Sequence, residues 1–272
     1  MNVIKAFQSK LNSITSWITP PSDTEIKDQP NKILIIFTHP RGIDSFAHAA
    51  LVSTVKGLKY HDNKNDIKIR RLYDDKKLSK KQREEECIYY NSNSFNNKDF
   101  KPVLSRNEHI DYMKASLDRS TLDDIEKSSG KGSEIVQAVK DIRWADKIIF
   151  VHPTWWFHFP TILKGYFDRI MLPGISFRLP NDNDDKSSIS PIVGLVPLLT
   201  NVKKIGVVTS YGSKYPTPLL LDGSRQFLSQ VFRRLCSSDC QLLWLSIDQM
   251  DTQTDENRKK HLIHVEEMYR DF

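Results

Sequence analysis

Residues 151–169, VHPTWWFHFPTILKGYFDR, place two tryptophans and two phenylalanines between Pro153 and Pro160, directly behind the apolar run Ile148–Val151. A strand that reaches Pro153 has to leave its sheet there, because proline has no N–H to give the ladder. Trp155, Trp156 and Phe157 therefore fall on the loop that follows. From Thr161 to Met171 the apolar residues Ile162, Leu163, Tyr166, Phe167, Ile170 and Met171 recur at three- and four-residue spacing, and Pro160 stands at the start, where a missing N–H is harmless. The unit reads strand, aromatic loop, helix.

The same grammar recurs on both sides. Ile33–Phe37 is a continuous apolar run of the kind buried on both faces of a parallel sheet. The polar loop Thr38-His39-Pro40-Arg41-Gly42-Ile43-Asp44-Ser45 follows. Phe46, Ala50, Leu51, Val55 and Leu58 then keep helical spacing, with Asp44 or Ser45 suited to the N-cap. Ile67, Ile69 and Leu72-Tyr73 give a second strand. Residues 74–99 break the pattern with a basic run, an acidic run and clustered asparagines, and read as a solvated insertion. Phe100-Lys101-Pro102-Val103-Leu104-Ser105 resumes order, and a helix carrying Ile135, Val136, Val139 and Ile142 delivers the chain to Ile148. Residues 172–204, with Pro173-Gly174 and an Asn/Asp-rich tip, have the profile of a lid. Ile205–Thr209 is a fourth strand, followed by Ser210-Tyr211-Gly212-Ser213. A helix through Phe227, Leu228, Val231, Phe232 and Leu235, a strand Leu242–Ile247 and a helix capped by Thr254, carrying Leu262, Val265 and Tyr269, complete the order. Five strands separated by helical patterns predict an α/β fold, a doubly wound parallel sheet with helices on both faces.

Composition sets outer bounds. A chain of 272 residues with 39% hydrophobic content buries a substantial core. It has no run of eighteen apolar residues, so no membrane span is expected. Three cysteines, Cys87, Cys236 and Cys240, are too few for a disulfide scaffold, and no secretory signal is read ahead of the fold, so a cytoplasmic setting is expected. A formal charge of +6 suits an anionic small ligand, and no arginine-rich stripe points to nucleic acid. Residues 1–30 read as an appendage: Val3, Phe7, Leu11, Ile14 and Ile18 line one helical face before Pro20-Pro21. Three readings compete for it: a helix docked on its own domain or a dimer partner, an interfacial membrane helix over residues 3–18, and a mitochondrial presequence, against which the absence of arginine counts.

Ligands of doubly wound sheets bind outside the carboxyl ends of the strands, where strand order reverses. The loops after strands one, three and four should converge there. The first offers an anion seat at a helix N-terminus, with His39, Arg41 and Ser45 beside it. The second offers a flat aromatic surface, and the third a glycine-containing turn. A ligand with a phosphate at one end and a planar heterocycle at the other, the shape of a flavin nucleotide, satisfies all three.

Pro153-Thr154-Trp155-Trp156-Phe157, Pro160 and Leu163-Lys164-Gly165-Tyr166-Phe167-Asp168-Arg169 together resemble the flavin loop and following helix of the NAD(P)H:quinone oxidoreductases with a flavodoxin-like fold. His39-Pro40 with Ser45-Phe46, the run Phe100–Ser105, and Thr209-Ser210 with Gly212 extend the resemblance over roughly residues 32–250. It implies sheet order 2-1-3-4-5, a homodimer, and FAD (FMN in some members) passing a hydride from NAD(P)H to a quinone, with azo or nitro compounds as side substrates. It further implies that His39, Ser45 and Phe46 hold the flavin phosphates, with Arg41 beside them. Pro153, Thr154, Trp155, Trp156 and Phe157 would line the isoalloxazine, and Thr209, Ser210 and Gly212 its pyrimidine edge, with Tyr211 expected to cover the ring. No catalytic residue is assigned; Tyr211, Tyr215 and His158 are candidates to protonate the quinone oxygen. Tyr211-Gly212 departs from the paired glycines frequent in the family.

Other residues take plainer readings. Lys164 and Arg169 read as surface residues of an amphipathic helix, His261 and His264 as solvent-facing, and Trp244 as core. Cys236 and Cys240 have one-turn spacing with no histidine or further cysteine pair beside them, so no metal site is expected. Against the enzyme stands a second class, a flavin-binding ancillary subunit of a membrane-associated partner in which the N-terminal helix is the working part.

Overall fold

A computed structural model describes residues 31–60, 65–73, 100–103 and 134–272. The helix expected at the N-terminus, the insertion expected at 74–99, Cys87 and the Leu104-Ser105 end of the Phe100 run lie outside these residues. The strands are β1 (Lys32–Phe37), β2 (Asp66–Arg71), β3 (Lys147–Pro153), β4 (Lys204–Ser210) and β5 (Gln241–Ile247), all parallel, in the order β2-β1-β3-β4-β5. The principal helices are α1 (Phe46–Leu58), α2 (Glu134–Trp144), α3 (Thr161–Ile170) and α4 (Asp255–Met268). No helix among the described residues is long and apolar enough to cross a membrane.

Alternation along each strand divides the core in two. Leu34, Ile36, Ile148, Phe150, Ile205 and Val207 point to one face, beneath α2, α3 and the helical stretch 223–235. Ile33, Ile35, Phe37, Ile149, Val151 and Val208 point to the other, beneath α1 and α4, where Val265 and Tyr269 seal the layer. Central strands buried on both faces account for the uninterrupted apolar runs in the sequence.

Several expectations need correction. Arg169 is buried: its Nη1 donates to the Lys101 carbonyl at 2.6 Å and pairs with Glu134, while the guanidinium lies 4.9 Å above the Phe100 ring. It fastens the segment around Pro102 onto α3, which explains Gly165, since a Cβ there would strike the Pro102 backbone. Lys164 does stay at the surface, paired with Asp168 one turn on. Residues 172–204 form no lid over the site. Ile175, Leu199 and Val202 are fully buried, Phe177–Arg178 pairs antiparallel with Val196–Pro197, and the Leu199 amide donates to the Leu235 carbonyl at 3.0 Å. The segment packs along the α2–α3 side of the core. His261 is half-buried beside the Phe46 ring, 6.2 Å away, and burial together with neighbouring His264 lowers its pKa to about 4; His264 is exposed as expected.

The helix expected through Phe227–Leu235 is irregular: α-helical at Gly223–Gln226, π-helical at Phe227–Val231 and 3-10 at Phe232–Leu235. Wider winding brings Phe227 and Phe232, five residues apart, into one aromatic cluster with Phe167, at 5.0 and 5.5 Å between ring centroids. Cys236 and Cys240 are buried on either side of a turn closed by the Cys240 amide and the Ser237 carbonyl, 2.9 Å apart, rather than one helical turn apart.

Candidate functional site

The loops after β1, β3 and β4 meet at the carboxyl edge. His39, Arg41, Ser45 and Phe46 from the first, Pro153, Thr154, Trp155, Trp156 and Phe157 from the second, and Ser210, Tyr211 and Gly212 from the third line one cavity of about 840 Å³. That volume lies within the usual range for small-molecule and cofactor sites, about 300 to 1,000 Å³. Thr209 stands behind the lining: it is buried, and its hydroxyl meets that of Thr154 at 2.8 Å, joining β4 to the aromatic loop.

At one end the first loop builds an anion seat. Gly42 takes a positive φ of 51°, which lets the chain turn through Gly42–Asp44 before Ser45 caps α1. The Ser45 hydroxyl donates to the Gly42 carbonyl at 2.6 Å and accepts from the His48 amide at 3.1 Å. Its part is therefore to shape the helix start. The amides of Phe46 and Ala47 lead the helix, and the positive end of its dipole points at the cavity. His39 Nδ1 accepts from the Arg41 amide at 3.1 Å, which leaves the neutral ring its proton on Nε2 as a donor. Partial burial, and secondarily the Arg41 charge, lower the His39 pKa. Its ring stands edge-on to Trp155 at 6.4 Å.

Opposite stands the aromatic turn. Trp155 and His158 exchange both backbone hydrogen bonds, each at 3.0 Å, and the two residues between them, Trp156 and Phe157, have φ of 51° and 57°. This is the type I′ pattern, normally filled by Asn-Gly, because non-glycine residues are strained at positive φ. Two bulky aromatics there mark a turn whose shape is imposed on its sequence. Trp156 is 97% exposed and Trp155 41%, so the turn presents its rings instead of burying them.

The third wall is polar. The Tyr211 amide donates to the Ile247 carbonyl at 2.8 Å, and the Met250 amide to the Tyr211 carbonyl at 2.8 Å. These bonds draw the loop after β5 against the loop after β4, so Met250 and Asp251 join the lining, with Ser213, Asp44 and Ala47. Sequence reasoning missed these five. The topology rule could have found Met250 and Asp251, since β5 neighbours β4 and its loop emerges at the same edge. Asp251 packs against Gly212, where a Cβ would meet Oδ2 at 2.9 Å. Of the three candidate proton donors, only Tyr211 touches the cavity. Its hydroxyl donates to Asp222 at 2.6 Å, and burial followed by the Asp222 charge raises its pKa, so the phenol is held protonated and committed. Tyr215 is exposed outside the lining, and His158 Nδ1 accepts from the Phe159 amide at 2.9 Å.

Sheet order reverses between β1 and β3, and the cavity opens there, which defines an open α/β protein with its ligand site at the switch point. The chain belongs to the Flavodoxin_2 family, the flavodoxin-like fold, which matches residues 31–234. It is 27% identical over 157 residues to a ribosyldihydronicotinamide dehydrogenase-like protein of Penicillium crustosum, covering 57% of this chain and 49% of that protein. It is 30% identical over 116 residues to an FMN-dependent NADH:quinone oxidoreductase of Clostridium beijerinckii, covering 43% and 52%. The chain thus spans about half the length of these relatives. The crystal structure of an FMN-dependent NADH-azoreductase of Bacillus anthracis in complex with FMN superposes with a TM-score of 0.61 at 18% identity, covering 88% of this chain and 97% of that one. At that identity the likeness is one of fold.

Proposed function

We propose that the protein is a flavin-dependent NAD(P)H oxidoreductase that binds FMN in this cavity and reduces quinones, with azo compounds as further acceptors. One observation carries the reading: an exposed aromatic turn in a strained I′ conformation and the N-terminus of α1 line one cavity of cofactor size. FMN is favoured over FAD because the relative and the fold neighbour described above are FMN-dependent by name. The residues fit such a group. The α1 amides, His39 Nε2–H and Arg41 would hold its phosphate, Trp155 to Phe157 its ring, and the Gly212 backbone its polar edge. The chemistry such a cofactor supplies when bound is acceptance of a hydride from reduced nicotinamide and its delivery to the acceptor. The chain's own part is to seat, orient and partly shield it. Tyr211 is committed to Asp222, so no side chain here is assigned the proton transfer to the quinone.

A homodimer is part of the proposal. Trp156, Tyr215, Leu220 and Leu221 are large apolar side chains left exposed by the loops after β3 and β4, and a second copy would cover them. A yellow preparation with flavin absorption bands, releasing FMN on denaturation and oxidising NAD(P)H faster when a quinone is added, is the expected result. Protein that stays colourless and cannot be reconstituted with FMN or FAD would overturn the reading.

A further inference from the structure

The segment Asp222-Gly223-Ser224 lies outside the cavity lining, yet it grips two of the loops that form its walls, those after β3 and β4. Asp222 is 1% exposed. Its Oδ2 accepts the Tyr211 hydroxyl at 2.6 Å, and its Oδ1 accepts the Ser224 amide at 2.9 Å together with the Ser224 hydroxyl. Both oxygens of this buried carboxyl group thus have hydrogen-bond partners, as burial of a polar group requires. One residue on, the Gly223 amide donates to the Phe157 carbonyl at 2.8 Å, the second central residue of the aromatic turn. A Cβ on Gly223 would stand 2.8 Å from Cδ2 of His158, the residue that closes that turn. Any larger residue there would have to displace the His158 ring, although the Phe157 carbonyl, 3.6 Å away, would stay in ordinary contact.

The turn needs such a hold. Each bulky residue at positive φ costs roughly 1–2 kcal/mol, and strained conformations persist only where their surroundings over-determine them. The Trp155–His158 pair closes the turn, Thr154 ties its base to β4 through a 3.0 Å bond to the Ser210 carbonyl, and Gly223 supplies the bond at its tip. Asp222, through Tyr211, fixes the neighbouring wall from the same short segment.

We propose that Asp222 and Gly223 are positioning residues, a clamp that fixes the Trp155–His158 turn and Tyr211 relative to one another, so that the aromatic and polar walls stand at the spacing a planar ligand requires. The ligand half of this inference rests on the flavin reading above; the mechanical half stands apart from it.

Hydrogen exchange on flavin-free protein tests the mechanical half. In Asp222→Ala and in Gly223→Ala, the amides of Trp155 and His158, more than sixty positions away in sequence, should exchange at least about tenfold faster, a change equivalent to roughly 1.4 kcal/mol of local opening. Amides in the middle of β1 and β3 should keep their protection. Asp222→Asn keeps an oxygen for the Tyr211 hydroxyl but sets its NH2 group against the Ser224 amide, so it should restore only part of the loss. Unchanged protection at Trp155 and His158 in both alanine variants would overturn the clamp. If Asp222→Ala also loses protection in the sheet, Gly223→Ala decides, because it leaves the carboxylate in place. FMN titration then tests the ligand half: both alanine variants should bind at least about tenfold more weakly than wild type. Wild-type protein that binds no flavin removes the cofactor reading while leaving the exchange result standing. Equal FMN affinity in all forms removes the ligand half of the inference while leaving the cofactor reading standing.

Discussion

His152 sits one residue before Pro153 in β3, fully buried, with its ring 5.3 Å from that of Phe159 and Nδ1–H donating to the Pro153 carbonyl at 3.0 Å. Burial disfavours the charged ring and lowers its pKa to about 4. The folded protein therefore binds fewer protons than the unfolded chain between about pH 6.5 and about pH 4, so this contribution to stability is complete above that window and is lost as pH falls through it. At about 1.4 kcal/mol per pH unit, the loss reaches roughly 2 kcal/mol by about pH 5. His261, also lowered to about 4, acts in the same direction. Denaturant midpoints at about pH 7 and about pH 5 should differ less in His152→Leu than in wild type, and equal differences would assign the pH dependence to other groups. A second residue-scale test uses the strain at Trp156 and Phe157. Replacing them with Asn and Gly, the residues a I′ turn prefers, should raise stability by about 1 kcal/mol while lowering FMN retention. A double variant with both lower stability and unchanged retention would mean that the turn is neither strained nor part of the flavin wall.

At the scale of elements, Arg169 shows how a correct helix can carry a misread side chain. The spacing from Ile162 to Ile170 identifies α3 and its buried face, and by that pattern Arg169 reads as solvent-facing. It is buried because the segment around Pro102 crosses Gly165 and brings the Lys101 carbonyl and Phe100 ring to it, with Glu134 arriving from the start of α2. Those partners are distant in sequence, and no local periodicity encodes them. Removing one partner of a buried ion pair leaves the other charge stranded. Arg169→Met should thus cost about 3 kcal/mol, whereas Arg169→Met with Glu134→Leu should recover most of it, as read from denaturant unfolding. A double variant no more stable than the single one would show that the Lys101 and Phe100 contacts, rather than the charge pair, account for the loss. The cap of α1 makes a smaller and more local prediction: Ser45→Ala removes the bond to the His48 amide and should lower stability by about 1 kcal/mol.

For the whole molecule, the fold was legible because central strands of a parallel sheet must be apolar on both sides, and Ile33–Phe37, Ile148–Val151 and Ile205–Val208 are buried throughout. The convergence of three loops followed from topology, and twelve of the thirteen candidate positions line one cavity, Thr209 alone standing behind it. What the sequence reading missed is set by hydrogen bonds between loops. Met250 and Asp251 are held at the cavity by bonds from the Met250 amide to the Tyr211 carbonyl and from the Gln249 amide to the Ser213 carbonyl, and Asp222 and Gly223 reach its walls through the Tyr211 hydroxyl and the Phe157 carbonyl. This division of the site, with a phosphate seat on one loop and a ring wall on another, leads to a measurement on the intact protein. A ligand that binds only the folded state stabilises it by about 2.7 kcal/mol at a hundredfold excess over Kd, which for a domain of this size raises Tm by roughly 5–10 °C. FMN should produce a shift of that order at modest concentration. Riboflavin has the same ring without the phosphate and leaves the α1 amides, His39 and Arg41 without a partner, so at equal concentration its shift should be much smaller. Equal shifts from FMN and riboflavin would mean that the helix-start loop contributes nothing to binding, and the ring wall would have to carry the affinity unaided. A small riboflavin shift that is also unaffected by replacing Trp155 and Trp156 with alanine would instead remove the aromatic turn from the site and leave a phosphate seat without a ring wall.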